Sequence, residues 1–371
     1  MSDRSPIRVA LALATSTGGV GQHVRSLAEQ LVKSGHQVGV FGPAATERLF
    51  GFTGVGAKFR PVEIAAGLDP VRDATAVLAL RRVTAGADVV HAHGFRAGLI
   101  ASLAQVGRGA KPLVVTWHNT VLATGFRGRV LGTLERRVAR AADITLGASE
   151  DLVSRAITVG ARDARFAPVA APPLTAASRD PDEVRRELGA EGRPLLLSVG
   201  RLHPQKSFDV LIEAAARWSG RTPAPVVVIA GSGPEESALA ALVCRLDAPV
   251  RLLGRRSDVA DLLAAADLAV VTSQWEARQL FAQEALRAGR PLVATAVGGL
   301  PGLLGDGAVL VPAGDVDALD RAVTRLLDDP ASAAELARRG EQQATTWPTE
   351  EQTAGQAEAV YAELLGRGPT A

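Results

Sequence analysis

The segment SQWEARQLFAQEALRAGRPLVATA, residues 273–296, is the stretch from which we infer the fold. Upstream of it, the apolar run LAVVT at residues 268–272 has the length of a buried strand. Helical spacing over residues 281–288 stops at Gly289 and Pro291, as helices usually stop. A second apolar run follows, so the segment predicts a strand, a loop, a helix and a strand, which is the unit of a parallel α/β sheet.

Two carboxylates in this segment, Glu276 and Glu284, lie eight residues apart. The pattern places Glu276 on the loop at the carboxyl end of a strand and Glu284 in the first turns of the next helix. Ligands of open α/β sheets bind at that edge. An ionised carboxylate is a pure acceptor that can take two hydroxyl donors, so the pair indicates a ligand rich in hydroxyls. The alternative is a pair of solvated surface charges.

Bulk composition sets the class of protein. A chain of 371 residues has room for two domains, and a net charge of +2 is too small to indicate nucleic acid. A single cysteine, Cys244, excludes an internal disulfide framework and favours a reducing, cytoplasmic location. No apolar run approaches 18 residues, so we predict no membrane span. The apolar patch within residues 1–16 is too short and too early for a signal peptide, and we interpret it as a first strand.

The amino-terminal region predicts a strand at residues 7–14, a glycine-rich turn at 15–21, a helix at 20–33 and a strand at 37–41. Backbone N–H groups where the helix begins can face a phosphate, and small residues let it come close. Two familiar glycine loops fit poorly. A P-loop needs Lys and then Ser or Thr, where this chain has Gln22 and His23, which argues against an ATPase.

The dinucleotide fingerprint G-x-G-x-x-G is also incomplete. Gly19 and Gly21 are present, but Val24 takes the place of the third glycine. A nicotinamide-dependent dehydrogenase is therefore a weakly supported alternative.

Three further strands, predicted at residues 88–91, 113–116 and 144–146, each end in a polar or aromatic cluster. The first two clusters contain histidines, which raises the question of a metal site. We expect His91 and His93 to point to opposite faces of their strand, and no cysteine or paired acid accompanies them, so we predict no metal site. We interpret His118 as a ligand-facing residue that bonds a hydroxyl and His91 as a core residue. Helix N-caps are predicted at Ser149 and, further on, at Ser207.

A helix predicted at residues 126–142 has a basic face, which contains Arg129, Arg136, Arg137 and Arg140. A solvated face is the ordinary interpretation. Contact with anionic lipid at the inner face of the plasma membrane, through the basic helix of residues 127–140, is the alternative.

Residues 166–181 hold four prolines and few bulky apolar residues, and we interpret them as an interdomain linker. A second α/β series follows it. We therefore predict one Rossmann-like domain at residues 1–168 and a second at 182–348. A helix at 349–371 is expected to pack back toward the first domain. Two doubly wound domains imply a cleft between their facing edges.

Two cations, Arg201 and Lys206, lie five residues apart on one strand-to-helix loop, which suits a diphosphate. Two exposed charges are the alternative. Asp315 and Asp317 form a D-x-D pair of the kind that can hold a divalent cation on a nucleotide-sugar. Because Asp315 follows Gly314 at a predicted helix start, we expect it to cap that helix instead.

Taken in order, these motifs resemble the retaining glycosyltransferases of family 4, the group-1 glycosyl transferases, in their actinobacterial type. The resemblance covers nearly the whole chain. It is carried by GGVGQHV (18–24), HAHG (91–94), TWHN (116–119), SVGRLHPQKSFDVLIEA (198–214), IAGSGPE (229–235), the Glu-x7-Glu pair, VGGLPGLL (297–304) and AGDVDALDRAV (313–323). The resemblance implies the two-domain GT-B fold, with the acceptor bound by the domain at residues 1–168 and the nucleotide-sugar by the domain at 182–348. It also implies a retaining hexosyltransferase-type activity with a nucleotide-diphosphate sugar as co-substrate. It also implies that no metal or other cofactor is needed.

The resemblance further implies roles for matching residues. Glu284 would bond the donor ribose and Glu276 the donor sugar. Arg201 and Lys206 would neutralise the departing diphosphate, and His118 would lie beside the transferred sugar. The remaining donor-binding positions are Gly18, Gly19, Gly233, Arg255, Ala277, Arg278, Gln279 and Leu280.

One departure from the family pattern follows the first acid. The family usually has glycine, a large residue and proline there, whereas this chain has Ala277, Arg278 and Gln279. Alanine resists positive φ, which puts donor preference in doubt. Two alternatives within the fold stay open: a GT-B nucleotide-sugar 2-epimerase and a degenerate member that binds the donor without transferring it. The sequence leaves open the base, the sugar, the oligomeric state and whether the acceptor is a glycan, a lipid or a small molecule.

Overall fold

The structure is a computed structural model that describes residues 5–107, 109–120, 125–171 and 176–366, apart from the side chain of Arg127. The chain divides into two compact units. The first comprises Met1–Pro172 and Pro348–Ala371, and the second comprises Pro173–Trp347.

Both units alternate strands and helices along the chain. The strands are β1 (Arg8–Leu13), β2 (Gln37–Gly42), β3 (Lys58–Pro61), β4 (Val89–His93), β5 (Leu113–Trp117), β6 (Ile144–Gly147), β7 (Ala164–Phe166), β8 (Leu195–Val199), β9 (Val226–Ala230), β10 (Val250–Leu252), β11 (Leu268–Val271), β12 (Leu292–Thr295) and β13 (Val309–Val311). The helices are α1 (Gly19–Lys33), α2 (Ala44–Phe50), α3 (Pro70–Val83), α4 (Phe95–Ala104), α5 (Gly125–Ala141), α6 (Glu150–Thr158), α7 (Pro181–Glu187), α8 (Phe208–Ala216), α9 (Glu236–Leu246), α10 (Val259–Ala265), α11 (Leu280–Arg287), α12 (Leu300–Leu304), α13 (Val316–Asp328), α14 (Pro330–Thr345) and α15 (Glu350–Leu364). Three short 3-10 turns lie at Phe52–Val55, Pro204–Lys206 and Gly305–Gly307.

Each unit is built on one parallel sheet. The first has seven strands in the order β3-β2-β1-β4-β5-β6-β7, and the second has six in the order β10-β9-β8-β11-β12-β13. The strand order reverses between β1 and β4 in the first sheet and between β8 and β11 in the second. A doubly wound sheet binds its ligands at the carboxyl ends of the strands beside that reversal. The predicted α/β class with two Rossmann-like units is confirmed.

The central strands are buried throughout because helices cover both faces of each sheet. Strands β4, β5, β9, β11 and β12 are buried at every position. In the second unit, alternate residues of these strands feed separate apolar clusters on the two sides of the sheet: Leu195 and Leu197 join one, and Leu196 joins the other. With both faces of the sheet covered, the loops that follow the strands remain accessible at the carboxyl edge.

The last helix, α15, belongs to the first unit. Its Ala354, Ala357, Val360 and Tyr361 are buried in the same apolar cluster as Leu27 of α1. A capping box starts the helix, in which the Thr349 hydroxyl accepts from the Gln352 backbone and the Gln352 side chain accepts from the Thr349 backbone.

The predicted linker begins inside the first sheet. Phe166 ends β7, which pairs in parallel with β6, and Ala167 and Ala171 are buried. Residues 172–175 of that linker lie outside the described part of the chain. At its other end Asp180 accepts a hydrogen bond from the backbone of Asp182 and caps α7. A three-residue edge strand with one exposed face has too weak a pattern to be seen in the sequence.

Ser149 and Ser207 occupy the predicted N-cap positions, but neither hydroxyl caps its helix. The Ser149 hydroxyl donates to Asp151, and the Ser207 hydroxyl donates to the carbonyl of Pro204. Ser207 also has a positive φ of 45°. The prediction of side-chain capping there is wrong: each hydroxyl is oriented toward a nearby acceptor, and Ser207 lacks the extended backbone that N-cap residues adopt.

Candidate functional site

The reversal point of the second sheet carries an acid–base pair. Lys206, on the loop after β8, donates from Nζ to Oε1 of Glu276, on the loop after β11, over 2.6 Å. The Ser273 hydroxyl donates to the same oxygen over 2.8 Å. The two charged side chains are 17% and 11% exposed. The topology therefore brings together two residues that lie 70 positions apart in the chain.

A set of hydrogen bonds between the two loops fixes this pair. The Gln205 carbonyl accepts from the backbone of Gln274, and the Gln205 side chain donates to the carbonyl of Trp275 over 2.7 Å. The Thr272 hydroxyl donates to the carbonyl of Lys206 over 2.9 Å. Bonds to main-chain atoms on both sides of the pair hold the lysine and the acid at a defined spacing.

Glycines let neighbouring loops pack tightly against this region. Gly298 has a φ of +53°, and a Cβ there would overlap the carbonyl oxygen of Glu276. The next residue, Gly299, donates from its backbone to that same carbonyl over 2.8 Å. The VGGLPGLL motif therefore positions the backbone of the first acid, a role that its sequence did not reveal.

Glu284 lies half-buried in the fifth position of α11, so it joins the same carboxyl edge. Burial raises the pKa of its carboxyl, and the charge of Arg287 partly opposes that rise. The first turn of α11 is stabilised by Gln283, whose amide donates to the carbonyl of Gln279 over 3.3 Å. The side-chain carbonyl oxygens of Gln279 and Gln283 are buried and have no hydrogen-bond partner within the described chain.

The departure after the first acid does not strain the loop. In the described chain, Ser207 and Asp247 are the non-glycine residues with positive φ, so Ala277 adopts an ordinary backbone conformation. Arg278 is partly buried; burial first, and then the charge of Arg287, lower its pKa to about 10. The expected difficulty with alanine is therefore removed. Gln279 and Leu280 form the N-cap and first residue of α11.

Other predicted donor-binding residues lie on neighbouring loops of the same edge. Arg201 is exposed and begins the loop that ends at Lys206. Gly233 lies on the loop after β9, where an added Cβ would overlap the carbonyl oxygen of Leu202. Arg255 is exposed on the loop after β10. All three follow adjacent strands of the sheet.

The D-x-D residues are engaged elsewhere. Asp315 accepts a hydrogen bond from the backbone of Ala318 over 2.8 Å and caps α13, as predicted. Asp317 forms an ion pair with Arg217 over 2.6 Å. Asp315 therefore stabilises the start of α13, and Asp317 links α13 to Arg217.

The first unit presents a glycine loop at its own reversal point. Gly18 is the N-cap of α1, and both Gly18 and Gly19 are exposed. A Cβ added at Gly18 would meet no described atom within 4 Å. Gly21, by contrast, packs against Phe50, whose ring an added Cβ would overlap. The loop glycines thus leave space beside the backbone, whereas Gly21 is a packing residue.

Next to this loop lies a cluster of buried histidines. His23 comes from α1, His93 ends β4 and His118 follows β5. Their ring centroids are 5.3, 5.3 and 5.5 Å apart. The rings of His91 and His93 lie 4.2 Å apart on one face. The expectation that His91 and His93 point to opposite faces is wrong, because residues two apart on a strand share a face.

His91 is held by two short hydrogen bonds. Its Nδ1 lies 2.6 Å from the hydroxyl of Tyr361 in α15, and its Nε2 lies 2.6 Å from the hydroxyl of Thr116. Burial lowers the pKa of His23 to about 4 and that of His91 to about 3. Burial also lowers the pKa values of His93 and His118 well below the ordinary value. These histidines are therefore neutral near pH 7, and His118 is 8% exposed, less open than the predicted ligand-facing role suggests.

The predicted basic helix is α5. Arg129, Arg136, Arg137 and Arg140 are exposed on it, and Phe126 is 83% exposed. The side chain of Arg127 lies outside the described residues. None of the helices that the structure describes is long and apolar enough to span a membrane.

Two doubly wound units, an acid–lysine pair at one reversal point and a glycine loop at the other define an α/β protein of the GT-B architecture. Solved structures agree with this class. The protein superposes on Anabaena HepE in complex with UDP with a TM-score of 0.81 and 19% identity, covering 96% of this chain and 100% of HepE.

Sequence comparison identifies the family. The profile described as glycosyl transferases group 1 matches residues 180–343, and that of a glycosyl transferase 4-like domain matches residues 18–172. A glycogen synthase of Mycobacterium tuberculosis is 30% identical over 370 residues, covering 90% of this chain and 88% of the relative. The chain belongs to the group-1 glycosyl transferase family.

A second relative matches over a shorter stretch. The D-inositol 3-phosphate glycosyltransferase of Mycobacterium avium is 34% identical over 272 residues, which is 67% of this chain. The match spans 62% of that relative's length, so it does not extend over the whole relative.

Proposed function

We propose that this glycosyltransferase moves a hexose from a UDP-hexose to an acceptor with retention of anomeric configuration. The observation that carries the proposal is the Lys206–Glu276 pair at the reversal point of the second sheet, on the edge that also bears Glu284. UDP as the nucleotide is supported by the structural neighbour HepE, which has been solved with UDP and with UDP-glucose.

The proposed roles of the site residues follow from their charges. Lys206, a point charge, and Arg201, a planar fork, suit the two phosphates of the leaving group. Glu276 accepts hydrogen bonds from the donor sugar and Glu284 from the ribose. When the diphosphate arrives, Lys206 exchanges part of its contact with Glu276 for a phosphate oxygen, which frees the acid to accept a sugar hydroxyl.

The chemical step then needs positioning and charge stabilisation. The acceptor attacks the face from which the nucleotide leaves, and a diphosphate oxygen takes the acceptor proton. Fixed cations aimed at the developing negative charge stabilise that transition state. His118 is proposed to contact the transferred sugar and Gly18 and Gly19 the phosphates. We propose that no metal takes part, since Asp315 and Asp317 are committed to a helix cap and an ion pair.

Incubation with UDP-glucose tests the proposal. Slow release of UDP and glucose, accelerated by an acceptor, is the expected result. A nucleotide-sugar recovered with inverted configuration at C2 would favour the epimerase. Tight donor binding with no turnover in the presence of glycan, lipid and small-molecule acceptors would favour the degenerate alternative.

We also propose that α5 contacts anionic membranes, which would suit a lipid acceptor. Phe126, Arg129, Arg136 and Arg140 are spaced three, seven and four residues apart, so they share one exposed helix face. Sedimentation with vesicles containing phosphatidylglycerol tests this. Binding should weaken in the double variant Arg129→Gln and Arg136→Gln but not in the double variant Arg338→Gln and Arg339→Gln. Equal binding to neutral vesicles would contradict the proposal.

A further inference from the structure

The histidine cluster of the first unit has the composition of a metal site. One ring nitrogen from each of His23, His93 and His118 lies within 4.8 Å of the other two. The three residues come from separate elements, so the tertiary fold creates the arrangement. All three are buried, with exposed fractions of 7%, 2% and 8%.

The spacing is close to what a tetrahedral ion requires. Nitrogen ligands lie about 2.0–2.1 Å from zinc, so two of them at the tetrahedral angle are about 3.3 Å apart. His93 Nδ1 and His118 Nε2 are 3.3 Å apart. The three ring centroids form a nearly equilateral triangle with sides of 5.3, 5.3 and 5.5 Å. A ring movement of about 1.5 Å or less would bring the remaining nitrogen distances to the same value.

The hydrogen bonds separate these three histidines from their neighbour. Both nitrogens of His91 are engaged, by Tyr361 and Thr116, so His91 is fixed in its structural role. By contrast, Nε2 of His93 is buried without a hydrogen-bond partner among the described residues. The nitrogens at ion-ligand spacing are Nδ1 of His93 and Nε2 of His118, and a bound ion would replace the hydrogen bond between them.

The donor set selects the class of ion. Imidazole nitrogens suit zinc, copper, nickel and cobalt, whereas magnesium and calcium require oxygen ligands. Three histidines leave one tetrahedral position open for water or an external ligand.

We propose that His23, His93 and His118 form a binding site for a transition-metal ion of the zinc class, with a fourth position open. This site stands on the geometry of the first unit and does not depend on the proposed glycosyl transfer. One consequence does rest on that proposal: because His118 is proposed to contact the sugar, a bound ion would inhibit transfer. The ion is thus a regulator or inhibitor and takes no part in the metal-free reaction.

Cobalt titration of the full chain, first treated with EDTA and desalted, tests the site. We expect one equivalent of Co²⁺ to bind with the visible absorption of tetrahedral cobalt, and Zn²⁺ to displace it. His93→Ala and His23→Ala should each weaken binding by at least about tenfold. The matched control His203→Ala, a histidine in the second unit, should bind like the wild type. Absence of tetrahedral absorption in the wild type, or its survival in both cluster variants, would overturn the proposal.

Thermal unfolding keeps the test decisive where a variant folds poorly. The wild type should unfold at a higher temperature with Zn²⁺ than with EDTA, since a ligand that binds the folded state stabilises it. No shift in the wild type would count against the site. Titration of UDP in EDTA separates this proposal from the enzymatic one: a chain that binds UDP but not cobalt lacks the metal site alone, and one that binds cobalt but not UDP fails the enzymatic proposal alone.

Discussion

The two sheets reverse their strand order at equivalent places, yet the two reversal points carry opposite chemistry. In the second unit, Lys206 and Glu276 form an ion pair. In the first, His23, His93 and His118 lie buried with pKa values lowered by that burial, so the site is neutral near pH 7. The same topology therefore carries paired charges in one unit and neutral imidazoles in the other.

This difference shows what the fold does and what individual residues do. Parallel strands with buried faces place loops at the carboxyl edge in both units. Side chains at the strand ends then decide which ligand each edge can take. Ion-pair chemistry should therefore be sensitive to single charge removals, whereas the histidine region should respond as part of a packed core.

The largest expected effect comes from removing the cation of the charged edge. Lys206→Ala should lower UDP release from UDP-glucose by at least about 100-fold, because a donor aimed at developing charge is lost. The exposed Lys33→Ala, which removes a surface pair with Glu29, should leave turnover unchanged. A loss of less than threefold in Lys206→Ala would break the assignment of chemistry to the second unit.

A smaller effect is expected from the loop that supports Glu276. Gly298→Ala should lower the free energy of unfolding by about 2 kcal/mol, because alanine is strained at a φ of +53° and its Cβ overlaps the Glu276 carbonyl oxygen. Gly302→Ala is the matched control, since an added Cβ there meets nothing described within 4 Å. Urea unfolding measures both. Equal stability of the two variants would show that the close approach is not needed.

The neutral edge should respond more weakly to loss of one hydrogen bond. Tyr361→Phe removes the hydroxyl that lies 2.6 Å from His91 Nδ1 and leaves that buried nitrogen unsatisfied. We expect the free energy of unfolding to fall by about 1–2 kcal/mol. Turnover should fall by less than in Lys206→Ala, and an unchanged unfolding curve would contradict the proposed link between α15 and the histidines.

The smallest effect concerns pH at the charged edge. Burial raises the pKa of Glu284 above its ordinary value of 4.5, so its carboxylate gains a proton earlier as pH falls. Protonation removes an acceptor for the ribose hydroxyls, so UDP affinity should weaken, by less than about tenfold, as pH falls from 7.5 into the range where carboxyl groups titrate. Glu284→Gln should bind more weakly at neutral pH and vary less over that range. Parallel pH profiles for both proteins would rule Glu284 out as the titrating group.

Much of the architecture was predictable from the sequence. The strands predicted at residues 113–116 and 144–146 are confirmed as β5 and β6, each one residue longer than predicted, because continuous apolar runs between turn residues leave little ambiguity. The edge strands β3 and β7 escaped notice, since their exposed residues carry no apolar signal. Helix starts were recognised. The Ser207 hydroxyl, however, donates to the carbonyl of Pro204, a contact that the residue type alone does not predict.

The site was only partly predictable. The spacing of Glu276 and Glu284 gave their loop and helix positions, but the contact with Lys206 spans 70 residues and depends on sheet order. Gly298 and Gln205 support the acid through main-chain contacts that no local pattern shows. The histidine cluster was predictable from the sequence, because residues two apart on a strand share a face; the expectation that His91 and His93 point to opposite faces reversed that rule.

Titration calorimetry of UDP, GDP, ADP and dTDP in EDTA, on the wild type and on Glu284→Ala, tests the central claim most directly. We expect UDP alone to bind with micromolar affinity without a metal. Loss of the charge-assisted hydrogen bonds in Glu284→Ala should weaken that binding by about tenfold or more. No binding of any of the four nucleotides, or equal binding of UDP by both proteins, would contradict a donor site at the charged edge of the second unit.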